Sequence, residues 1–455
     1  METLDVVIWT IRQRKGRAKP YELRWKVGTE PKSKSFLTKA LADHFRADLL
    51  KAAKKGEPFD MVTGLPASMT KTEEKAILSW FDFCRKYVHM RWKGAAAKTR
   101  ESIVDSLTVA TFALLTAEAS DLSKKEIRAA MQWALIPRQD DEAAPPGLDY
   151  AVRLIRKGTI NVSDLADPIV ARNVCEELML TRDGKRAAAD TTARRRRGLN
   201  TALAYAVDLG ELTENPLKRV KQKRVARDNS VDRRCVVNPA QARELLVSLS
   251  YVGSWRRGRG RRLVAFFATL YFAGLRPAEA TGLRKTDCVL PEEGWGLLTI
   301  EVTRPSSGKQ WTDNGTVHDQ RGLKQREERE IRPVPIPPEL IRILRAHLEE
   351  FGTAPDGRLF RNERGGVLGA STYSRAWEEA RRFALTPQQV ASFLAGKPYD
   401  LRHAALSTWL NAGVDATVVA ERAGNSVEVL LKRYAKCLDG RDSQINRRIE
   451  VALET

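Results

Sequence analysis

The chain has 455 residues, 30% of them charged, and a formal net charge of +21, a balance that points to a polyanionic partner such as nucleic acid or an anionic membrane surface. Its 42% hydrophobic content allows real cores and two or three domains, and no apolar run reaches the roughly eighteen residues needed to span a bilayer. The five cysteines (Cys84, Cys175, Cys235, Cys288, Cys437) are scattered, odd in number and without a C-x-x-C pair, and the five histidines are equally dispersed. That pattern reads as reduced thiols in a cytosolic protein, with neither a disulfide frame nor a metal site. The opening Met1-Glu2-Thr3-Leu4-Asp5 lacks the character of a signal peptide.

Residues 1–55 read as a small basic unit. Residues 4–10, 21–27 and 34–37 alternate in the manner of short strands, with a basic turn at Arg14-Lys15-Gly16-Arg17. A helix is expected from Thr38, with Leu41, Phe45 and Leu49 on one face. Residues 56–71, rich in Gly and Pro, read as a loop-like linker. An all-helical region follows over 72–220. Ile77, Trp80, Phe81, Cys84 and Val88 fall at helical spacing and are most simply a core face. An acidic, proline-bearing break at 140–147 divides the helices. The last of them carries Arg194, Arg195, Arg196 and Arg197, followed by Leu199, Leu203, Ala206 and Val207, and stops at Gly210 and Asn215-Pro216. Four consecutive arginines cannot share one helix face, so a solvated charged face competes with a DNA-binding role. Residues 218–234 are basic and aperiodic, a linker whose Lys221, Lys223 and Arg224 are candidates to lie along phosphates.

From 235 to the end the pattern is that of one α+β domain. Asn238-Pro239 starts a helix by N-cap and N1 logic. The stretch 262–272 is nearly all apolar, hence a buried helix ended by Gly274. Strands are expected at 289–290, 297–302 and 331–336, the last two separated by a polar excursion over 304–330. Helices are expected at 338–350, 371–383, 387–394, 400–412, 415–422 and 426–438, with Asp415 and Ser426 as N-caps and Gly413 and Gly424 as stops. In the tail, Ile445, Ile449 and Leu453 form a further apolar stripe.

Two arginines stand out by context: Arg276 in Phe272-Ala273-Gly274-Leu275-Arg276-Pro277-Ala278-Glu279, and Arg402 in Pro398-Tyr399-Asp400-Leu401-Arg402-His403. Gly424-Asn425 follows about twenty residues on, and Tyr434 nine residues later. This arrangement resembles the tyrosine recombinase (phage integrase) family, in which an Arg after Gly-Leu, an Arg in His-x-x-Arg, a Gly-His and a Tyr occur at this spacing. The resemblance spans nearly the whole chain and is most specific in the last two hundred residues. It implies a mainly α fold with small β elements. The implied parts are a three-stranded arm-type DNA-binding domain (1–55), a helical core-binding, SAM-like domain (72–220) and an α+β catalytic domain (235–455).

The chemistry implied is cleavage of a phosphodiester without metal, ATP or other cofactor. Two guanidinium groups, Arg276 and Arg402, would neutralise the non-bridging oxygens. Tyr434 would attack phosphorus and form a 3′-phosphotyrosine link. A lysine would protonate the leaving 5′-oxygen: Lys324 is the choice, with Lys309 as runner-up. Each residue also has an ordinary fate: a salt bridge from Arg276 to Glu279, a bond from Arg402 to Asp400 or a helix C-terminus, a core position for Tyr434, a solvated loop for the lysine. Tyr399 and Asn425 stand where the family has histidines. They can hydrogen-bond a phosphate oxygen but are poor proton shuttles. His403 can orient a neighbour or sit as a satisfied core histidine.

The resemblance further implies attachment-site duplex DNA, a tetramer assembled on it with the terminal helix docking on a neighbour, a place for a directionality factor, no membrane, and a location on the bacterial nucleoid in the cytoplasm. Two other readings share these residues. One is a type IB topoisomerase; the other is a non-catalytic, regulatory DNA-binding relative, suggested by Tyr399 and Asn425.

Overall fold

The structure, a computed structural model, describes residues 2–14, 16–70, 78–138, 144–220, 230–253, 258–320, 322, 331–434, 437 and 442–453. It is mainly helical with small sheets, and divides into two compact units, Met1–Ala226 and Arg227–Thr455.

The first unit opens with short strands β1 (Glu2–Thr3), β2 (Val6–Ile8) and β3 (Arg12–Gln13), followed by β4 (Tyr21–Val27) and β5 (Glu30–Phe36). The strand expected over 4–10 is found as β2 alone, and β3 lies beyond it; β2 and β3 both pair antiparallel with β4, and β5 pairs with its other edge. Alternation along β4 sends Leu23, Trp25 and Val27 into the core. There they meet helix α1 (Lys39–Lys54), whose N-terminus is capped by the Thr38 hydroxyl. Of the three residues expected on its inner face, Leu41 and Leu49 are buried and Phe45 packs its ring against Trp25 and Phe36.

Residues 56–70 are not the loose linker expected. Strand β6 (Phe59–Asp60) pairs with β1, Phe59 is fully buried, and the Trp25 indole N–H donates to the Gly64 carbonyl at 2.6 Å. The segment closes the small sheet because Phe59 is a large apolar side chain that this core covers completely.

Helices α2 (Ala67–Thr70), α3 (Trp80–Trp92), α4 (Ala97–Thr111), α5 (Lys124–Leu135), α6 (Pro146–Lys157), α7 (Pro168–Glu177) and α8 (Ala189–Asp208) complete this unit. Trp80, Phe81, Cys84 and Val88 of α3 are core residues, as their spacing predicts; Ile77 lies outside the described residues. Phe83 and Tyr87 join them and pack on Tyr205 of α8, with ring centroids 6.2 and 5.7 Å apart.

The second unit begins on the linker side with Val231, which is buried rather than solvated. Helix α9 (Pro239–Ser250) starts with the expected Asn238 cap, completed into a reciprocal box by Gln241. Helix α10 (Arg259–Phe272) is buried over almost its whole circumference, and Phe267 stacks on Trp377 at 4.8 Å. After the short helix α11 (Pro277–Ala280) come strands β7 (Cys288–Val289), β8 (Gly296–Ile300) and β9 (Arg332–Ile336), an antiparallel sheet in the order β7-β8-β9. Helices α12 (Pro338–Phe351), α13 (Ala370–Ala384), α14 (Pro387–Ala391), α15 (Asp400–Asn411), α16 (Ala416–Ala423), α17 (Val427–Tyr434) and α18 (Asp442–Leu453) follow.

Helix α14 stops at Ala391 instead of 394 because the chain turns back: Ala395 takes a positive φ and its carbonyl accepts the Trp377 indole N–H at 2.7 Å. Helix α17 is described as far as Tyr434; residues 435, 436 and 438 of the expected helix lie outside the described residues. Ile449 and Leu453 of α18 are exposed. Among the described residues no helix is long and apolar enough to cross a membrane.

Candidate active site

Helix α15 is the spine of the site. Asp400 through Ser407 are all buried, so the helix runs through the domain rather than over it, and Arg402 and His403 are carried inside with it. A buried guanidinium must spend its donors. Arg402 donates to the carbonyl of Gly274, just beyond the end of α10, and at 2.6 Å to that of Ala423, the last residue of α16. It thereby satisfies orphan carbonyls at two helix C-termini, where a cation is favoured. Of the ordinary fates named for Arg402, the helix C-terminus is the one found; Asp400 instead accepts the backbone N–H of Lys397. Burial pulls the Arg402 pKa down, Glu279 opposes that, and Arg276 adds to it.

Arg276 sits at the turn between α10 and α11, held there by Gly274, whose φ of +60° suits glycine and whose absent side chain makes room for the Trp409 ring. Its guanidinium donates to Glu279 Oε1 at 2.7 Å, to the Gly424 carbonyl at 2.8 Å and to Asn425 Oδ1 at 2.8 Å. The expected salt bridge to Glu279 therefore exists, and with it contacts that tie Arg276 to the Gly424-Asn425 turn 148 residues away in sequence. Its side chain keeps 30% exposure, so part of the guanidinium faces solvent. Burial works against its charge, but Glu279 and the Tyr399 hydroxyl outweigh that and raise its pKa.

Two members of the cluster were not singled out from the sequence. Glu279 appeared only as the alternative partner of Arg276. It is 1% exposed and sits at the centre of three arginines: Arg276, Arg402 at 4.0 Å, and Arg332, which grips it bidentately at 3.0 and 2.8 Å. Burial alone would raise its pKa, but Arg332, Arg402 and Arg276 together hold it down to about 2. Arg332 opens β9 and is itself 1% exposed. Its signal was present: alternation puts Arg332 on the same inward face as Val334 and Ile336, and an arginine on that face needs a buried anion. Gly424 is the close-packed floor of this cluster. With φ at +64° it ends α16, and a Cβ there would run into the Arg332 guanidinium.

Tyr434, at the end of α17, is 1% exposed, in a second small core with Leu406, Leu410, Val419 and Leu430. The core position and the functional position are thus the same. Its hydroxyl lies 2.8 Å from His403 Nδ1. Tyr399, one helical turn before His403, packs edge-on against the imidazole at 5.0 Å between centroids, and the imidazole packs edge-on against Tyr434 at 5.7 Å. Burial, Arg433 and Arg402 lower the His403 pKa to about 4, so the imidazole is neutral at neutral pH. Burial raises the pKa of Tyr434, against the pull of Arg402. Val231 adds a strap: it belongs to the same core, and its N–H donates to the Arg433 carbonyl at 2.7 Å.

The structure thus brings Arg276, Arg402, Tyr399, Asn425, His403 and Tyr434 into one cluster. His403 is buried with its ring nitrogen at the Tyr434 hydroxyl, an arrangement that fits both expectations, a satisfied core histidine and one that orients a neighbour. Lys324 lies outside the described residues, as do Lys221, Lys223 and Arg224. Lys309, the alternative, begins an exposed turn of 3-10 helix anchored by buried Trp311.

The arginine run in α8 divides. Arg194 and Arg197 are exposed. Arg195 is buried, paired with Asp105 at 3.1 Å and bonded to the carbonyls of Leu178 and Leu180. Arg196 donates to Cys175 Sγ and to the carbonyls of Leu217 and Val220. For these two the expectation of a DNA-binding face is corrected: their donors are used within the protein, because a helix packed on α3 and α4 turns two of four successive residues inward.

No protein-family model matches the sequence, and no curated protein matches it. The fold, however, is that of the tyrosine recombinases. Among solved structures it is similar to a fragment of the Tn1549 transposon integrase in complex with transposon right-end DNA. There the identity is 15%, the match covers 82% of this chain and 100% of that one, and the TM-score is 0.52. A second structure of that integrase, with circular intermediate DNA, matches at 16% identity over 83% of this chain and 100% of that one, with a TM-score of 0.50.

Proposed function

We propose that this protein is a tyrosine site-specific DNA recombinase, an integrase that inserts, and can excise, a mobile element through a 3′-phosphotyrosine intermediate. One observation supports the reading: Arg276 and Arg402, far apart in the chain, share the buried carboxylate of Glu279, and Tyr434 reaches His403, the residue next to Arg402, with its hydroxyl. Three guanidinium groups against one carboxylate leave the cluster cationic, which suits an incoming phosphodiester.

In this mechanism Tyr434 attacks phosphorus and the 5′-oxygen leaves, protonated by Lys324 or Lys309. The partially exposed Arg276 meets a non-bridging oxygen, and Arg402 contributes its field from behind. Tyr399 and Asn425 hydrogen-bond the phosphate where histidines would otherwise serve. The covalent link conserves the bond energy, so a 5′-hydroxyl can religate without ATP or metal. The N-terminal sheet and helix would serve as the arm-type DNA-binding domain, and the helices over 72–220 as the core-binding domain. Arg194, Arg197 and the basic 221–224 stretch would lie along phosphates. A tetramer on attachment-site DNA, a directionality factor and a cytoplasmic place on the nucleoid belong to the same proposal.

The test is covalent trapping. Duplexes selected for binding from a random pool are nicked at successive positions and incubated with the protein and with Tyr434→Phe. A denaturant-stable adduct that needs Tyr434 and survives a chelator is the expected result. Specific binding with no adduct overturns it in favour of a regulatory DNA-binding relative, a reading that the burial of Tyr434 and the engagement of Asn425 by Arg276 support. Relaxation of supercoils without a specific site would instead indicate a topoisomerase.

A further inference from the structure

We propose that His403 is the group that takes the proton of Tyr434 when that hydroxyl attacks phosphorus. The inference rests on the recombinase reading above and deepens it at the one step the sequence leaves without a proton acceptor.

The argument begins with what is missing. Tyr399 and Asn425 occupy the two positions where a histidine would serve, and neither side chain accepts a proton at neutral pH. Asn425 is moreover committed, its Oδ1 receiving Arg276. A tyrosine hydroxyl is a weak nucleophile until its proton leaves, and here burial makes that loss harder. Among the described residues, the ring nitrogen of His403 lies within hydrogen-bond reach of the oxygen, at 2.8 Å.

The placement follows from helix geometry. His403 is four residues after Tyr399, one turn along α15 and on the same face. A histidine moved by one turn still points at the tyrosine because α17 crosses that face at its Tyr434 end. The imidazole is held on both sides, edge-on between Tyr399 and Tyr434, so its orientation is set before DNA arrives. The charged and titratable groups facing His403 and its partner are Arg402 on α15, Arg433 on α17, the Tyr399 hydroxyl and, beyond Tyr434, Cys437. Two nearby cations disfavour imidazolium in the free protein. A phosphate on the arginines offsets part of their field, so the imidazole becomes a better base when substrate is seated.

The step balances without any further reagent. The Tyr434 Oη–H bond breaks and its proton goes to His403 Nδ1. The Oη–P bond forms, the P–O5′ bond breaks, and the leaving oxygen takes a proton from the lysine or from water. In religation the imidazolium returns its proton to Tyr434.

Two measurements test this, one of them independent of DNA. Nitrogen NMR of the free protein should show the His403 tautomer protonated at Nε2, with Nδ1 accepting from Tyr434, and a changed Nδ1 resonance in Tyr434→Phe. An Nδ1-protonated ring donating to the tyrosine would overturn the proposal. The second measurement is the rate of adduct formation on the nicked duplex between pH 5 and 9. His403→Gln, which keeps a hydrogen bond but cannot take a proton, should cleave about 10²-fold or more slowly while binding DNA within about twofold of the parent. His403→Ala should recover rate on addition of imidazole, in proportion to the free base. Parent-like rates in both variants would refute the role while leaving the recombinase reading intact. Absence of an adduct from the parent protein would instead refute the recombinase reading itself.

Discussion

Two regions of this protein concentrate arginine, and they use it in opposite ways. In α8, Arg195 and Arg196 find protein acceptors locally, Asp105 and a set of main-chain carbonyls, while Arg194 and Arg197 are left to solvent. Around α15, Arg276, Arg332 and Arg402 converge on the single carboxylate of Glu279. The first arrangement is close to balanced and braces a helix bundle. The second is over-supplied with positive charge inside a buried cluster, which is tolerable only because helix-terminal carbonyls absorb part of it. Such an imbalance is a poor way to add stability and a good way to prepare for an anion.

Removing the carboxylate from each region should expose the difference most strongly. Glu279→Gln leaves the buried guanidinium groups of Arg332 and Arg402 and the partly exposed one of Arg276 without their counter-ion, and should cost about 3–5 kcal/mol of unfolding free energy. Asp105→Asn, at a partly exposed carboxylate that pairs with Arg195 and Arg128, should cost about 1–2 kcal/mol. Equal losses in denaturant melts would mean the two clusters are alike.

Next in size is the split between activity and stability. Arg276→Ala should lower adduct formation by about 10²–10³-fold with a small change in melting temperature. Arg195→Ala should do the reverse, lowering the melting temperature and leaving cleavage per folded molecule unchanged.

Acidification should act on the α15 cluster first. His403 has a folded pKa of about 4 against an ordinary 6.5, so the unfolded chain binds its proton earlier. Stability from this group is full above the unfolded value and falls as pH drops through the interval between the two, by an amount on the order of 3 kcal/mol. Glu279, depressed to about 2 from 4.5, extends the loss below that window. His403→Gln should flatten the upper part of the curve, read by melts between pH 7 and pH 4.

The smallest effect separates the exposed from the buried arginines of α8. Arg194→Ala and Arg197→Ala should each weaken duplex binding modestly and lower the salt slope by about one unit per lost phosphate contact, with melting temperature unchanged. No change in slope would remove α8 from the DNA-facing surface.

How far these features could be read in advance depended on whether they were local. Caps and stops are local chemistry, so Asn238, Asp415 and Gly424 marked helix ends that the structure keeps. The burial of α3 and α10 followed from their spacing. The linker over 56–71 was misjudged because Phe59, in a short stretch rich in Gly and Pro, shows no periodicity, yet it has a core to fill. The arginine run was over-read because composition does not say which members of a helix turn inward. Arg332 was passed over because a strand was the natural reading of its neighbours, although the strand's alternation already turned it inward.

The sequence by itself determined that the chain is basic and mainly helical, where most helices begin and end, and that Arg276, Arg402 and Tyr434 stand at a telling spacing. Each of these depends on residues within a turn or two, or on the order of residues along the chain. Only the tertiary structure decided what those side chains touch: that Glu279 is shared by three arginines, that Arg402 closes two helix ends, and that His403 rather than Tyr399 meets the Tyr434 hydroxyl. Most of those contacts join residues tens to more than a hundred positions apart, and they form because a charged or polar group carried into the interior is costly without a partner.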